Sequence, residues 1–302
     1  MSLVEKALRK LQQSTARRPL RVDSPSAAQV RVSIQPRPPE ARKNRTPAPV
    51  PSPVGQALVI DTAALRAAGL LPPQTEEHQL AEQYRRIKRP LIAGAIGHGA
   101  ARVKEGQLIM LTSAVAGEGK TFTSINLGLS MSVEKDAHVV LVDADVAKPH
   151  ISRLLGVADA PGLLDALRDA DLDPERLIRP TDVPNLSVLP AGTRSQEATE
   201  LLASTRMQQV TATLARRDSQ RIVLFDSPPL LQTTESHALA QSMGQVVVVV
   251  RAQFTPQPVV LDALKLLEGH PAVSLVLNQS LASANTAYYY RYGDGSGAEA
   301  SR

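Results

Sequence analysis

Residues 112–128 read TSAVAGEGKTFTSINLG, and this stretch decides the fold. An apolar run, QLIML at 107–111, leads into it, and a segment with helical periodicity follows. Strand, glycine-bearing loop, Lys-Thr and helix in that order make the phosphate loop G-x-x-x-x-G-K-[ST], with Ala114 in the first glycine's place. Gly117 and Gly119 let the backbone curl so that successive N–H groups point at phosphate oxygens. The helix starting near Lys120 adds its positive end to the same anion. Ala116, Gly117, Glu118, Gly119, Lys120, Thr121 and Phe122 are therefore expected to line bound ATP. Lys120 is placed on the β- and γ-phosphates and the Thr121 hydroxyl on Mg²⁺.

Two acidic strand ends support this reading. In VVLVDADVAKPH, residues 139–150, Asp143 and Asp145 stand at i and i+2 and face one side. Two converging carboxylates need a cation or a shared proton, and Mg²⁺–ATP supplies the cation. For Asp145 the simpler role of capping a turn stays open. In RIVLFDSPP, residues 221–229, four apolar residues lead to Asp226 at the carboxyl end of a strand, the edge where open α/β sheets bind ligands. Thr121, Asp143 and Asp226 are the expected metal-facing set.

Further out, short apolar strands alternate with helical segments. Strands are expected at QLIMLTS, HVVLVDAD, LSVLPAG, RIVLFDSPP, QVVVVVRA and AVSLVLNQS. Helices are expected at 76–95, 120–134, near 150–155, and at 162–168, 196–217, 233–243 and 256–269. Strands apolar throughout are covered on both faces, and the alternation predicts an α/β fold: a mostly parallel sheet with helices on both faces. Asn278 ends the last strand and either meets the base of ATP or belongs to the scaffold.

The rest of the chain differs in composition. Residues 2–13 read as a short amphipathic helix, with Leu3, Val4, Ala7, Leu8 and Leu11 on one face. Residues 14–75 read as a Pro/Arg-rich disordered linker, although the signal turns mixed from 57 onward. The folded domain is assigned to 76–280 and a flexible, Tyr-rich tail to 281–302. Residues 1–75 hold 12 Lys and Arg against 4 Asp and Glu, whereas 76–302 hold 22 against 25. The basic character thus belongs to the leader, and no nucleic-acid-binding face is expected on the domain. Cysteine is absent, which excludes disulfides and thiolate sites. No segment reaches the roughly 18–20 apolar residues of a membrane span, and MSLVEKALRKLQQ lacks the apolar core of a secretory signal. A cytoplasmic location is expected.

SAVAGEGKT, VDADVAKPH and FDSPP resemble the Walker A, A′ and B motifs of bacterial tyrosine kinases (BY-kinases), in the MinD/ParA branch of deviant P-loop ATPases. EQYRRIKR at 82–89 is similar to that family's E-x-x-R-x-x-R assembly helix, with Glu82, Arg85 and Lys88 in register. LPAGTRSQEATELLAS resembles its LPAG…ELL segment, and the closing AYYYRYGDGSGAEASR resembles its autophosphorylated tyrosine cluster. MSLVEKALRKLQ and RIKRPLIAGA are similar to the chain-length determinant kinase of exosortase-linked exopolysaccharide operons.

The resemblance implies a P-loop NTPase-like tyrosine autokinase using ATP and Mg²⁺. It implies homo-oligomers of the ring-forming kind and an inner-membrane polysaccharide co-polymerase as partner. Tyr288, Tyr289, Tyr290 and Tyr292 would be the acceptors, with Lys120, Asp143 and Asp145 as catalytic residues. Asp143 would orient or deprotonate the phenol, and Asp145 would support the metal or the base. The competing reading is a MinD/ParA-like ATPase switch that phosphorylates no protein. Val115 stands where MinD and ParA proteins carry a signature lysine, which disfavours that switch. Lys148 stands near the arginine that many BY-kinases place after the A′ aspartates. Lys88 replaces the last arginine of the assembly helix, and NP is missing before ELL.

Overall fold

The structure, a computed structural model, describes residues 57–280. The expected helix at 2–13, the linker as far as residue 56 and the tyrosine tail from 281 lie outside the described residues. A seven-stranded sheet organises the remainder. Its strands are β1 Leu108–Ser113, β2 His138–Asp143, β3 Arg179–Pro180, β4 Leu186–Leu189, β5 Arg221–Asp226, β6 Gln245–Arg251 and β7 Val273–Asn278. They lie in the order β3-β4-β2-β5-β1-β6-β7. Every neighbouring pair is parallel except the short β3–β4 pair at one edge.

The pleat sorts the strand residues into two cores. On one face Ile109, Leu111, Val139, Leu141, Ile222 and Leu224 pack with residues of two helices, α2 Glu77–Ile96 and α3 Lys120–Ser132. On the other, Met110, Val140, Val142, Val223 and Phe225 meet residues of α5 Leu163–Arg168, α7 Thr205–Arg216 and α8 Thr234–Ala240. The remaining helices among the described residues are α1 Thr62–Ala67, α4 His150–Leu154, α6 Ala198–Leu202 and α9 Gln257–Lys265, with short 3-10 turns at Gly99–Ala101 and Pro174–Leu177. The expected α/β sheet is present, and every strand expected from the sequence appears.

Two boundaries and the setting of one residue differ from the sequence reading. Residues 57–75 are not linker. Leu58 N–H donates to the Pro180 carbonyl at 2.8 Å, and the Asp61 carboxylate caps α1 by accepting from Ala63 and Ala64 N–H. Leu65, Leu70 and Leu71 are buried in the α2–α3 core, and Asn126 Nδ2 on α3 donates to the Leu70 carbonyl at 2.8 Å. These few leucines, spread among Ala and Pro, gain a core only from α2 and α3. Residues 196–217 are two helices rather than one, because Ser204 leaves helical geometry and caps α7 with its side chain. Lys88 is not on an open assembly face. It lies in the buried stripe Tyr84–Lys88–Leu91–Ala95 of α2, and its Nζ donates to the Ser130 carbonyl at 2.6 Å and to Glu134 at 2.7 Å. Glu82 and Arg85 are exposed and pair with each other at 2.6 Å.

Candidate active site

β1 and α3 present the phosphate loop at the carboxyl edge of the sheet, and β2 and β5 end beside it with Asp143 and Asp226 register-paired. Gly117 and Gly119 adopt φ of 83° and 95°, the left-handed region that favours glycine. Ala116 and Gly117 are exposed at the loop's crest, so their backbone can approach a ligand. The Glu118 side chain turns the other way. Wholly buried, it accepts from Val115 N–H at 2.7 Å and from the Thr255 hydroxyl at 2.5 Å. Of the loop residues expected to line ATP, Glu118 therefore offers only its backbone. Asn278 Nδ2 donates to the Glu118 carbonyl at 2.9 Å, which gives this residue a scaffold contact with the loop.

Thr121 Oγ1 and Ser124 Oγ each donate to one oxygen of Asp226, both at 2.8 Å. Ser124 follows Thr121 by one helical turn, beyond the end of the motif that singles out Thr121. Lys120 Nζ lies 3.7 Å from Asp145 Oδ2, and Asp145 Oδ1 accepts from Lys148 N–H at 3.2 Å. Asp145 thus both pairs with the loop lysine and closes a turn, while the Lys148 side chain points to solvent.

Asp143 is completely buried. Its Oδ2 accepts from both the N–H and the hydroxyl of Ser152, each at 2.7 Å. Ser152 Oγ in turn accepts from Ala191 N–H at 3.1 Å, which aims the lone hydroxyl proton at Asp143. Asp143 Oδ1 has no hydrogen-bond partner among the described residues. Nothing in the sequence pattern marked Ser152, nine residues downstream on α4.

Electrostatics follow from burial and from crowding. Burial pushes the Asp143 carboxyl up to about 7, against the Ser152 bonds, and the nearby Asp226 and Asp145 charges add to the rise. Burial likewise pushes Asp226 up to about 6, opposed by Lys120, Thr121 and Ser124. Asp145 pairs with Lys120 and Asp226 feels its charge, while Asp143 feels both other carboxylates; three acids against one lysine is an imbalance that a divalent cation would correct. Among the described residues no three acidic or His side chains form a metal cage by themselves. A cation here would need ligands from a bound phosphate, as a nucleotide site provides. A groove of about 1090 Å³ opens over the loop, bounded by Lys120 and Phe122, by Gln79 and Gln83 of α2, and by Asn278. Its size and its loop backbone fit a nucleotide with Mg²⁺, which Thr121 and Asp226 would hold.

A family described as AAA domain matches residues 106–283. The putative tyrosine-protein kinase EpsB of Ralstonia nicotianae is 34% identical over 191 residues, covering 63% of this chain and 24% of EpsB. A crystal structure of the VpsO kinase domain superposes with a TM-score of 0.55 at 29% identity, covering 69% of this chain and all of that one. The kinase domain of the Escherichia coli tyrosine kinase ETK gives 0.52 at 26% identity, covering 60% and 70%. The chain spans about a quarter of the length of the first curated relatives it matches. EpsB and ETK carry tyrosine kinase in their names, the activity of the family that the three motifs resemble. No helix among the described residues is long and apolar enough to cross a membrane.

Proposed function

The chain belongs to the AAA domain family, and from that premise we propose that it is an ATP-dependent protein-tyrosine autokinase whose acceptors are Tyr288, Tyr289, Tyr290 and Tyr292. One observation carries the reading. Asp143, beside the phosphate loop, keeps one buried carboxylate oxygen without a partner among the described residues, where a bare NTP switch needs only a metal-facing acid. A phenol with pKa near 10 is neutral at pH 7, and Oδ1 is the atom that can accept its proton.

Bound Mg²⁺–ATP supplies the transferable phosphoryl group and charge neutralisation. Lys120 and the loop N–H groups hold the phosphates, while Thr121 and Asp226 hold the cation. Asp143 Oδ1 takes the phenol proton as the phenol oxygen bonds to the γ-phosphorus and the bond from that phosphorus to the β,γ-bridging oxygen breaks. ADP leaves with the bridging oxygen. Ser152 keeps Oδ2 occupied, so the proton arrives at Oδ1.

The finer setting rests on the family resemblance. The kinase assembles with further copies through the exposed Glu82–Arg85 face, works from the cytoplasm with an inner-membrane polysaccharide co-polymerase, and adjusts exopolysaccharide chain length. Intact mass after incubation with Mg²⁺–ATP tests the core of this reading. Phosphate additions are expected in wild type, and none in Lys120→Met or in a variant with the four tail tyrosines changed to Phe. ATP hydrolysis with no phosphate on any protein, even with a membrane extract present, would replace the kinase by an ATPase switch.

A further inference from the structure

β7 is an edge strand. It pairs only with β6 among the described residues, and every residue in it is at least partly exposed. Val273, Leu275 and Leu277 share one face of it. By register they continue the row Val246, Val248 and Val250 of β6. Ala263 of α9 and Leu267 just beyond it join the core that buries Val246 and Val248. Among the described residues no such cover reaches β7, where Val273 is 36% exposed, Leu275 57% and Leu277 61%. A row of apolar side chains beside unpaired backbone N–H and C=O groups is a template for one more strand.

The chain itself carries that strand. Gln279, directly after β7, has φ 55°, which turns the backbone off the strand line. Twenty-two residues follow Ser280. Among them Tyr288, Tyr290 and Tyr292 recur at period 2, the same spacing as Leu277, Leu275 and Val273. Five residues in a strand span about 16 Å, so the two rows match in length. The nine residues 279–287 are enough to reverse the chain, at a small closure cost for so short a loop.

We propose that residues 288–292 add to the outer edge of β7 as an antiparallel strand, with Tyr288, Tyr290 and Tyr292 over the apolar row, and that phosphorylation of those rings releases it. Tyr rings against Leu and Val are favourable cross-strand partners. A phosphate brings a charge of roughly −1.5 to −2, which cannot sit on that row without a cation. The release step rests on the kinase reading; the docking does not. The docked tail keeps its acceptors from an active site and covers the apolar edge, and the phosphorylated protein displays that edge.

The test uses full-length Lys120→Met protein, which carries no tail phosphate of its own making. Amide exchange along 273–278 is compared in that background, with Tyr289→Ser added, and with Tyr288→Ser, Tyr290→Ser and Tyr292→Ser added together. Exchange about tenfold faster in the triple change alone is expected. Leu275→Glu with Leu277→Glu should likewise speed chymotryptic cutting of the tail, about fivefold or more. Equal exchange in all three proteins would overturn the proposal. So would protection that rises with protein concentration and survives the triple change, which would assign the edge to a second copy. Wild type carrying tail phosphate should exchange like the triple change, and retained protection would overturn release. If Mg²⁺–ATP adds no phosphate, the kinase reading fails, while the exchange comparison still decides docking.

Discussion

Asn278 Nδ2 donates to the carbonyl of Glu118 at 2.9 Å, so the last residue of the edge strand closes over the phosphate loop. A Cβ added at Gly119 would lie 2.1 Å from that same nitrogen. The loop's curvature, the absence of a side chain at 119 and the end of β7 therefore form one fitted contact. Asn278→Ala removes one neutral hydrogen bond, worth about 1 kcal/mol of stability. The loop is what the bond holds, so Mg²⁺–ATP affinity measured by calorimetry should fall about five- to tenfold. Unchanged affinity would make the contact incidental.

Gly119→Ala meets two obstacles together. Its φ of 95° is unfavourable for an L side chain, and the new methyl would displace Asn278. Nucleotide binding is expected to drop at least about 30-fold, roughly 2 kcal/mol, with the sheet intact by circular dichroism. Binding within threefold of wild type would show that the loop relaxes freely.

Lys88 and Arg85 sit one helical turn apart on α2 yet do different work. Lys88 Nζ is enclosed between the Ser130 carbonyl and Glu134, tying α2 to the end of α3 and the turn after it. Lys88→Ala leaves that carbonyl without its donor and should lower unfolding stability by about 1–3 kcal/mol in urea titration. Arg85, exposed and paired with Glu82, should cost less than about 0.5 kcal/mol when changed to Ala. If the Glu82–Arg85 face joins copies, Arg85→Ala shifts the assembly to smaller species in sedimentation at matched concentration. Equal stability losses for the two variants would contradict this division.

This pair also marks where the sequence could be read and where it could not. The phosphate loop and the aspartates that end β2 and β5 were legible because each needs only local order: an apolar run, then a fixed spacing. The 3.6-residue period of α2 was legible as well, but a period does not say whether a lysine on the stripe finds a carbonyl to bury against. Leu65, Leu70 and Leu71 gave no periodic signal, since α2 and α3 supply the surface they cover. Ser152 is joined to Asp143 only by the path of α4 back across the end of β2. Glu118 looked like a loop residue facing ligand, and only the fold reveals Thr255 waiting behind it.

Ser152→Ala tests the support of Asp143. The serine's bonds hold the Asp143 carboxyl down against burial, so losing the hydroxyl raises its proton affinity further. The acid limb of autophosphorylation against pH should move to higher pH. At pH 7 the rate should fall about tenfold with the ATP KM little changed, and it should recover in part near pH 9. A loss that is the same at every pH would reduce Ser152 to a packing residue.

Ligand-free stability should also depend on pH, in the sense opposite to that of most carboxylates. Asp143 and Asp226 hold protons up to about 7 and about 6 in the folded protein, whereas unfolded aspartates release them near 4. Between about pH 4 and pH 7 the folded state therefore binds more protons than the unfolded state, and stability falls as pH rises through that window. About three decades of proton affinity at Asp143 and two at Asp226, each on the order of 1.4 kcal/mol, set an upper bound of about 7 kcal/mol, which the mutual repulsion of the two groups reduces. The melting temperature of the ligand-free protein should drop between pH 5 and pH 8. Asp143→Asn cannot ionise, so it should flatten the drop and melt above wild type at pH 8, although it lacks the proposed proton acceptor. Mg²⁺–ATP should stabilise wild type most at the alkaline end, where the uncompensated carboxylates repel one another. A melting temperature that rises from pH 5 to pH 8 in the absence of ligand would mean that the buried aspartates are ionised throughout, and the assignment of Asp143 Oδ1 as proton acceptor near neutrality would fall with it.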